Sequence, residues 1–185
     1  MVCIVGHRLL VEKPVYSRLA GGTKRHRGRD MKFRVAGLIT GLVAAAALGL
    51  AYYAEYRMHL VPCELCLVER WPYRITLLLG VLALLVGGRL ARWLVALAGV
   101  AMLCNVAIAG LHVGVEFHWW ASPFPECNGI LAFGAALPMV PSVSCDRGVY
   151  LLPWLRLTMT QMDFIGSICF TILLFFMASG SRRRA

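Results

Sequence analysis

Residues 93–115 read WLVALAGVAMLCNVAIAGLHVGV, 23 positions without a Lys, Arg, Asp or Glu. A helix of that length rises about 35 Å, enough to cross the roughly 30 Å of hydrocarbon in a bilayer. The run is apolar all round rather than along one stripe, which reads as a membrane span and not as a soluble-protein helix. Residues 35–53 and 164–180 are likewise free of charge. Residues 75–88 are short by themselves, and the span is extended back through Tyr73, Pro72 and Trp71, with Arg74 snorkelling to the headgroups. With 59% hydrophobic residues in 185 and a mean hydropathy of +0.71, the chain has more apolar surface than a soluble domain of this size can bury. The expected fold class is an all-α membrane protein: a four-transmembrane-helix bundle with two loops on one face, the second longer and partly lying on the membrane surface.

The basic residues set the orientation, since Lys and Arg accumulate on the cytoplasmic side of short loops. Fourteen of the nineteen lie up to Arg34, at Arg89 and Arg92, or at Arg182, Arg183 and Arg184. The two opposite loops, 55–74 and 116–163, hold five basic and seven of the nine acidic residues. Both termini are therefore expected in the cytoplasm and both loops in the periplasm of a bacterial inner membrane. The formal charge of +10 is accounted for by this distribution, so no nucleic-acid partner is expected.

Residues 1–30 are basic and show no sustained apolar periodicity, and the expectation is a disordered extension. Met31-Lys-Phe-Arg ahead of the first apolar run reads as a natural membrane-protein start, with Met1 too early. The same stretch has features of a signal peptide, but its apolar run of 19 is long for one, and cleavage would spoil the charge balance. Residues 31–180 then form the membrane domain and 181–185 a basic cytoplasmic tail. In the second loop, 128–140 is apolar but too short to span, and reads either as an interfacial helix or as a loop packed on the helix ends.

This topology sorts the seven cysteines. Cys63, Cys66, Cys127 and Cys145 lie in the outer loops, Cys104 and Cys169 inside spans, and Cys3 in the cytoplasm. In an oxidising compartment an even set of loop cysteines reads as disulfides. Cys63-Glu-Leu-Cys66 is a CxxC at the expected start of the second helix, where a helix N-terminus favours a thiolate. An isolated CxxC is equally well a static bridge, and Cys127 with Cys145 equally well a loop staple. Two pairs on one face admit something neither does alone, the passing of a disulfide from pair to pair by thiolate attack. A four-cysteine zinc site is disfavoured because Cys127 and Cys145 do not form a close-spaced knuckle. Cys104 and Cys169 are expected as small apolar fillers between helices.

The segment Pro62-Cys63-Glu-Leu-Cys66-Leu-Val-Glu69-Arg70 resembles the disulfide bond formation protein B (DsbB) family, which has Pro-Cys-x-x-Cys followed by an Arg four residues on. The stretch from Gly110 to Glu116, then Ser122-Pro123-Phe124 ahead of Cys127, and Cys145-Asp146-Arg147 before a fourth span extend the resemblance over roughly residues 31 to 180. The resemblance implies a protein-dithiol:quinone oxidoreductase. Cys63 and Cys66 would be the membrane-proximal pair, Cys66 meeting a quinone (ubiquinone or menaquinone) and Arg70 helping to hold its ring. Cys127 would be attacked by a periplasmic DsbA-like thioredoxin-fold partner, and Cys145 would exchange onto Cys63. Pro72 departs from a regular helix one turn in, which would kink the helix or delay its start.

Physical readings stand beside the resemblance. A permanent cation at Arg70 can hydrogen-bond a quinone carbonyl and stabilise developing negative charge, or it can be an interfacial snorkel paired with Glu69. His112 and Glu116 sit at the outer end of the third span, where a His can carry protons or simply be a satisfied interfacial residue. Trp71, Trp119 and Trp120 read as an aromatic belt. The vitamin K epoxide reductase type resembles the chain less, because its quinone-side CxxC follows the loop pair. The alternative from another class is a small membrane scaffold or transporter subunit with structural disulfides. The spans are expected to hold no buried Asp, Glu, Lys or Arg to handle a charged solute, which speaks against transport.

Overall fold

The computed structural model describes residues 9–124, 145–146, 148–150 and 156–179, with side chains described from residue 30 onward. The described residues form four helices: α1 (Leu9–Arg57), α2 (Glu64–Val86), α3 (Gly88–Glu116) and α4 (Met159–Ser179). Asp30–Arg57 of α1, all of α3 and all of α4 are long and apolar enough to cross a membrane. α2 has the length, 23 residues, but its first half carries Glu64, Glu69, Arg70 and Arg74. Large apolar side chains face outward from all four helices, among them Leu42, Leu78, Leu103 and Phe176 at 71% exposure, a surface suited to lipid rather than water.

The all-helical expectation holds, while several boundaries differ. α1 runs back past Asp30 to Leu9, so residues 9–29 continue as helix where disorder was expected. Propagating an existing helix costs far less than nucleating one, so a strong apolar run extends into a sequence with little helical signal of its own. α2 starts at Glu64, and Pro72 neither delays it nor ends it. Pro72 is buried between helices, where packing offsets its missing hydrogen bond. Residues 1–8, the apolar segment 128–140 and the tail 181–185 lie outside the described residues.

α3 packs on each of the other three helices. Its buried positions Ala91, Val95, Ala98, Met102, Asn105, Ala109 and His112 alternate in steps of four and three, the spacing of a shallow left-handed crossing. Small residues let the backbones approach. A Cβ on Gly80 would lie 2.6 Å from the Gly41 backbone nitrogen, and one on Gly37 would lie 2.6 Å from that of Leu84. Gly37 and Gly41 thus form a Gly-x-x-x-Gly seam against α2. The ring of Phe175 covers Gly99, and that of Phe164 covers Gly110, joining α4 to α3. Between α2 and α3 only Gly87 intervenes, with φ 69°, a left-handed conformation that a side chain disfavours.

Cys104 and Cys169 are exposed on the outer surface, so they are not fillers between helices. Each falls off the buried stripe of its helix: Met102 and Asn105 are the buried neighbours on α3, and Ser167 and Phe170 those on α4. The Trp71, Trp119 and Trp120 side chains are also exposed.

Candidate active site

The site lies at the end of the bundle where α2 begins. Cys63 is the N-cap of α2 with extended backbone (φ −77°, ψ 168°), and its Sγ accepts from the backbone N–H of Cys66 at 3.4 Å. A thiol takes here the role usually filled by a Ser or Asp oxygen, satisfying one of the free N–H groups of the first turn. One helical turn brings Cys66 alongside, with its Sγ 2.8 Å from that of Cys63.

α3 supplies the third partner. His112, 2% exposed, presents Nε2 to Cys63 Sγ at 3.6 Å, while its Nδ1 is 2.9 Å from Glu69 Oε1. The carboxylate on one ring nitrogen fixes the ring and turns the other toward sulfur. The Cys63 thiol is held well below its ordinary pKa, first by the hydrogen bond from the Cys66 thiol and then by His112, against the opposing effect of burial. In the dithiol form these contacts favour negative charge on Cys63.

Arg70 points to the other side of α2. It donates to Glu55 Oε2 of α1 at 2.6 Å and stacks 5.1 Å over the Tyr52 ring. The snorkel reading paired Arg70 with Glu69; the structure pairs it with Glu55, because consecutive helical residues diverge by about 100° and Glu69 faces α3. Arg74 is the residue at the surface, donating to the Tyr52 hydroxyl and stacking on Trp71.

Deeper in the bundle, Asp163 of α4 accepts from the Tyr73 hydroxyl at 2.7 Å and from Asn105 Nδ2 at 3.1 Å. The spans were expected to lack buried charge. Glu69 and Arg70 correct that, being buried in α2, which begins at Glu64 rather than at Trp71, and the half-buried Asp163 adds a carboxylate because α4 begins at Met159 rather than at Phe164. Glu116 is engaged elsewhere, accepting from Thr158 and Gln161 at the base of α4.

A cavity of about 290 Å³ opens onto these groups. Ala47, Leu48 and Ala51 form part of its apolar wall, and Cys63, Cys66, Arg70 and His112 part of its polar end. Cys145 also lines it, is disulfide-bonded, and is buried in one small core with Cys63, Leu65 and Val115. Cys63, Cys66, Arg70 and Cys145 are thus brought around one cavity, whereas Cys127 lies outside the described residues. Glu69, Asp163, Tyr73 and Glu55 had no assigned place in the site at the level of sequence. A sequence signal for Asn105 and His112 was available in their spacing, two polar side chains seven residues apart in an otherwise apolar span.

The model of the family described as disulfide bond formation protein DsbB matches residues 33–177. Among curated proteins, an uncharacterized protein of Rickettsia prowazekii (strain Madrid E) is 26% identical over 77% of this chain and 86% of its own length. The disulfide bond formation protein B of Shewanella frigidimarina (strain NCIMB 400) is 28% identical over 72% of this chain and 84% of its own. That of Acinetobacter baumannii (strain ATCC 17978) is 33% identical over 55% of this chain and 63% of its own. No solved structure matches the chain.

Proposed function

The chain belongs to the disulfide bond formation protein DsbB family, and on that premise we propose that it reoxidises a DsbA-like thioredoxin-fold dithiol protein in the periplasm and passes the electrons to a membrane quinone. The charge distribution supports a bacterial inner-membrane setting with both termini cytoplasmic and the site on the periplasmic side.

The observation that carries the reading is the packing of disulfide-bonded Cys145 in one small core with the Cys63 thiol, beside a cavity lined by apolar residues together with Arg70 and His112. The partner's thiolate attacks Cys127 of a Cys127–Cys145 disulfide, and Cys145 leaves as a thiolate. Cys145 then attacks Cys63 of a Cys63–Cys66 disulfide, forming a Cys63–Cys145 bridge and releasing Cys66. The partner's second thiol resolves its mixed disulfide with Cys127, and the Cys127 thiol returns to Cys145, freeing Cys63. The balance is one partner dithiol oxidised and the Cys63/Cys66 pair reduced. While Cys63 is tied to Cys145, the sulfur left facing the cavity is Cys66.

A quinone bound in the cavity supplies an acceptor for two electrons and two protons, and the residues present fit such a ring. The wall formed by Ala47, Leu48 and Ala51 is apolar, as a ring entering from lipid requires, and Arg70 has N–H donors beyond the one given to Glu55. Arg70 would orient a carbonyl of such a ring and stabilise negative charge developing on it. His112 and Glu69 hold a proton next to Cys63, where the thiol pair must shed protons as it closes to a disulfide. Purified protein in detergent, given a reduced thioredoxin-fold dithiol protein and a soluble quinone, should bleach the quinone absorbance catalytically. Cys66→Ser should abolish this, and full turnover by that variant would remove the mechanism.

A further inference from the structure

Cys63 Sγ, Cys66 Sγ and His112 Nε2 all lie within 4.8 Å of one another. Two soft sulfur donors and an imidazole are the donor set preferred by zinc, with Zn–S near 2.3 Å and Zn–N near 2.0–2.1 Å. Tetrahedral geometry at those lengths asks for sulfur to nitrogen of about 3.6 Å and sulfur to sulfur of about 3.8 Å. Cys63 to His112 is 3.6 Å as it stands, and the 2.8 Å between the sulfurs opens by about 1 Å through rotation of the Cys66 side chain.

The surroundings also suit a metal. Glu69 accepts at Nδ1 of His112, which leaves Nε2 as the coordinating nitrogen and completes the carboxylate–histidine–metal arrangement. Two thiolates neutralise one divalent charge, so the ion brings no net charge into a buried place. Cys63, Cys66 and His112 all line the cavity, which leaves space beside them for a fourth ligand.

We propose that the dithiol form of this protein binds one zinc ion through Cys63, Cys66 and His112, with Glu69 as the positioning residue, and that the ion locks the pair in the reduced state. On binding, one Zn²⁺ replaces the two protons shared by the reduced Cys63, Cys66 and His112 group; no electron moves. The disulfide form has no thiolates and no site, so zinc competes both with electron donation from the pair and with exchange onto Cys145. The inference rests on donor geometry alone and does not require the proposed partner or quinone.

The test is a titration of Zn²⁺ against a chromophoric chelator, using full-length protein in detergent with Cys127→Ser and Cys145→Ser to keep the loop thiols out. One ion per chain is expected for reduced protein and none after oxidation of the pair. Glu69→Gln should weaken binding about 10- to 100-fold, as loss of an outer-shell partner does. Equal affinity of the oxidised protein would overturn the proposal. Because His112 and Glu69 are buried and their variants can misfold, zinc-edge X-ray absorption on the unmutated, reduced protein gives the ligands directly. Two sulfurs and one imidazole are expected; three or four sulfurs, or nitrogen and oxygen alone, would refute the site.

Discussion

Replacing His112 by Phe keeps a buried ring on α3 and removes the nitrogen 3.6 Å from Cys63 Sγ. A hydrogen bond to a charged group contributes about 1.5–3 kcal/mol, and this one is to a large, diffuse acceptor, which favours the lower end. Since 1.36 kcal/mol is one pKa unit, the Cys63 thiol should rise by about one unit. It should not return to the ordinary thiol value, because the hydrogen bond from Cys66 is the larger cause of its depression and remains. The sign is fixed: His112 stabilises the thiolate, so its loss makes Cys63 less reactive at acid pH. Reduced protein is treated with iodoacetamide across a pH series and labelling at Cys63 is read by mass spectrometry of the peptide; the cavity gives the reagent access. The midpoint should move up by about one pH unit, with labelling about tenfold slower below it. An unmoved midpoint, or one shifted to lower pH, would refute the assignment of His112 as a thiolate partner.

Arg70→Met should raise the quinone concentration for half-maximal rate more than it weakens partner binding; an unchanged quinone dependence, measured by steady-state kinetics, would leave Arg70 as a structural partner of Glu55 and Tyr52. Gly80→Ala should destabilise by about 1–3 kcal/mol, because its new Cβ would sit 2.6 Å from a backbone nitrogen. Gly49→Ala, which meets nothing within 4 Å, should be neutral or slightly stabilising, and equal shifts of the two in detergent unfolding would argue against the α1–α2 crossing. A thioredoxin-fold partner lacking its second active-site Cys should be trapped on Cys127, and mass spectrometry locating the cross-link on Cys145 would reverse those roles.

The helices were legible because a membrane span announces itself by composition within one segment: 93–115 needs no tertiary information. Cys63 and Cys66 were legible for the same reason, being three residues apart at a helix start. Glu69 with His112, Arg70 with Glu55, and Asp163 with Tyr73 and Asn105 are separated by 15 to 90 residues, and their meeting depends on how the helices are rotated. Rotation is set by details such as the Gly37, Gly41 and Gly80 seam, which apolar composition alone does not reveal. Asp163 was missed by one position, because the apolar run was taken to start at Phe164 while the helix extends a turn beyond it. Cys104 and Cys169 illustrate the same limit, since membership of a span does not say which way a side chain faces.

The single-residue connection at Gly87 has consequences for which length changes the chain can tolerate. α2 and α3 are joined with no slack at one end and must bring Cys63 and His112 to within 3.6 Å at the other, more than 20 residues away along each helix. Inserting one residue anywhere between Gly88 and His112 would turn His112 by about 100° and lift it by about 1.5 Å, carrying its nitrogen away from the sulfur and placing Glu69 against whatever replaces it. Such a change cannot be absorbed at the turn. Among the described residues of the connection from Phe117 to Thr158, Cys145 packs beside Cys63, His118 pairs with Asp146, and Val149 accepts from the Met159 N–H. Relatives of this chain should therefore keep the count of residues fixed across the α2–α3 hairpin.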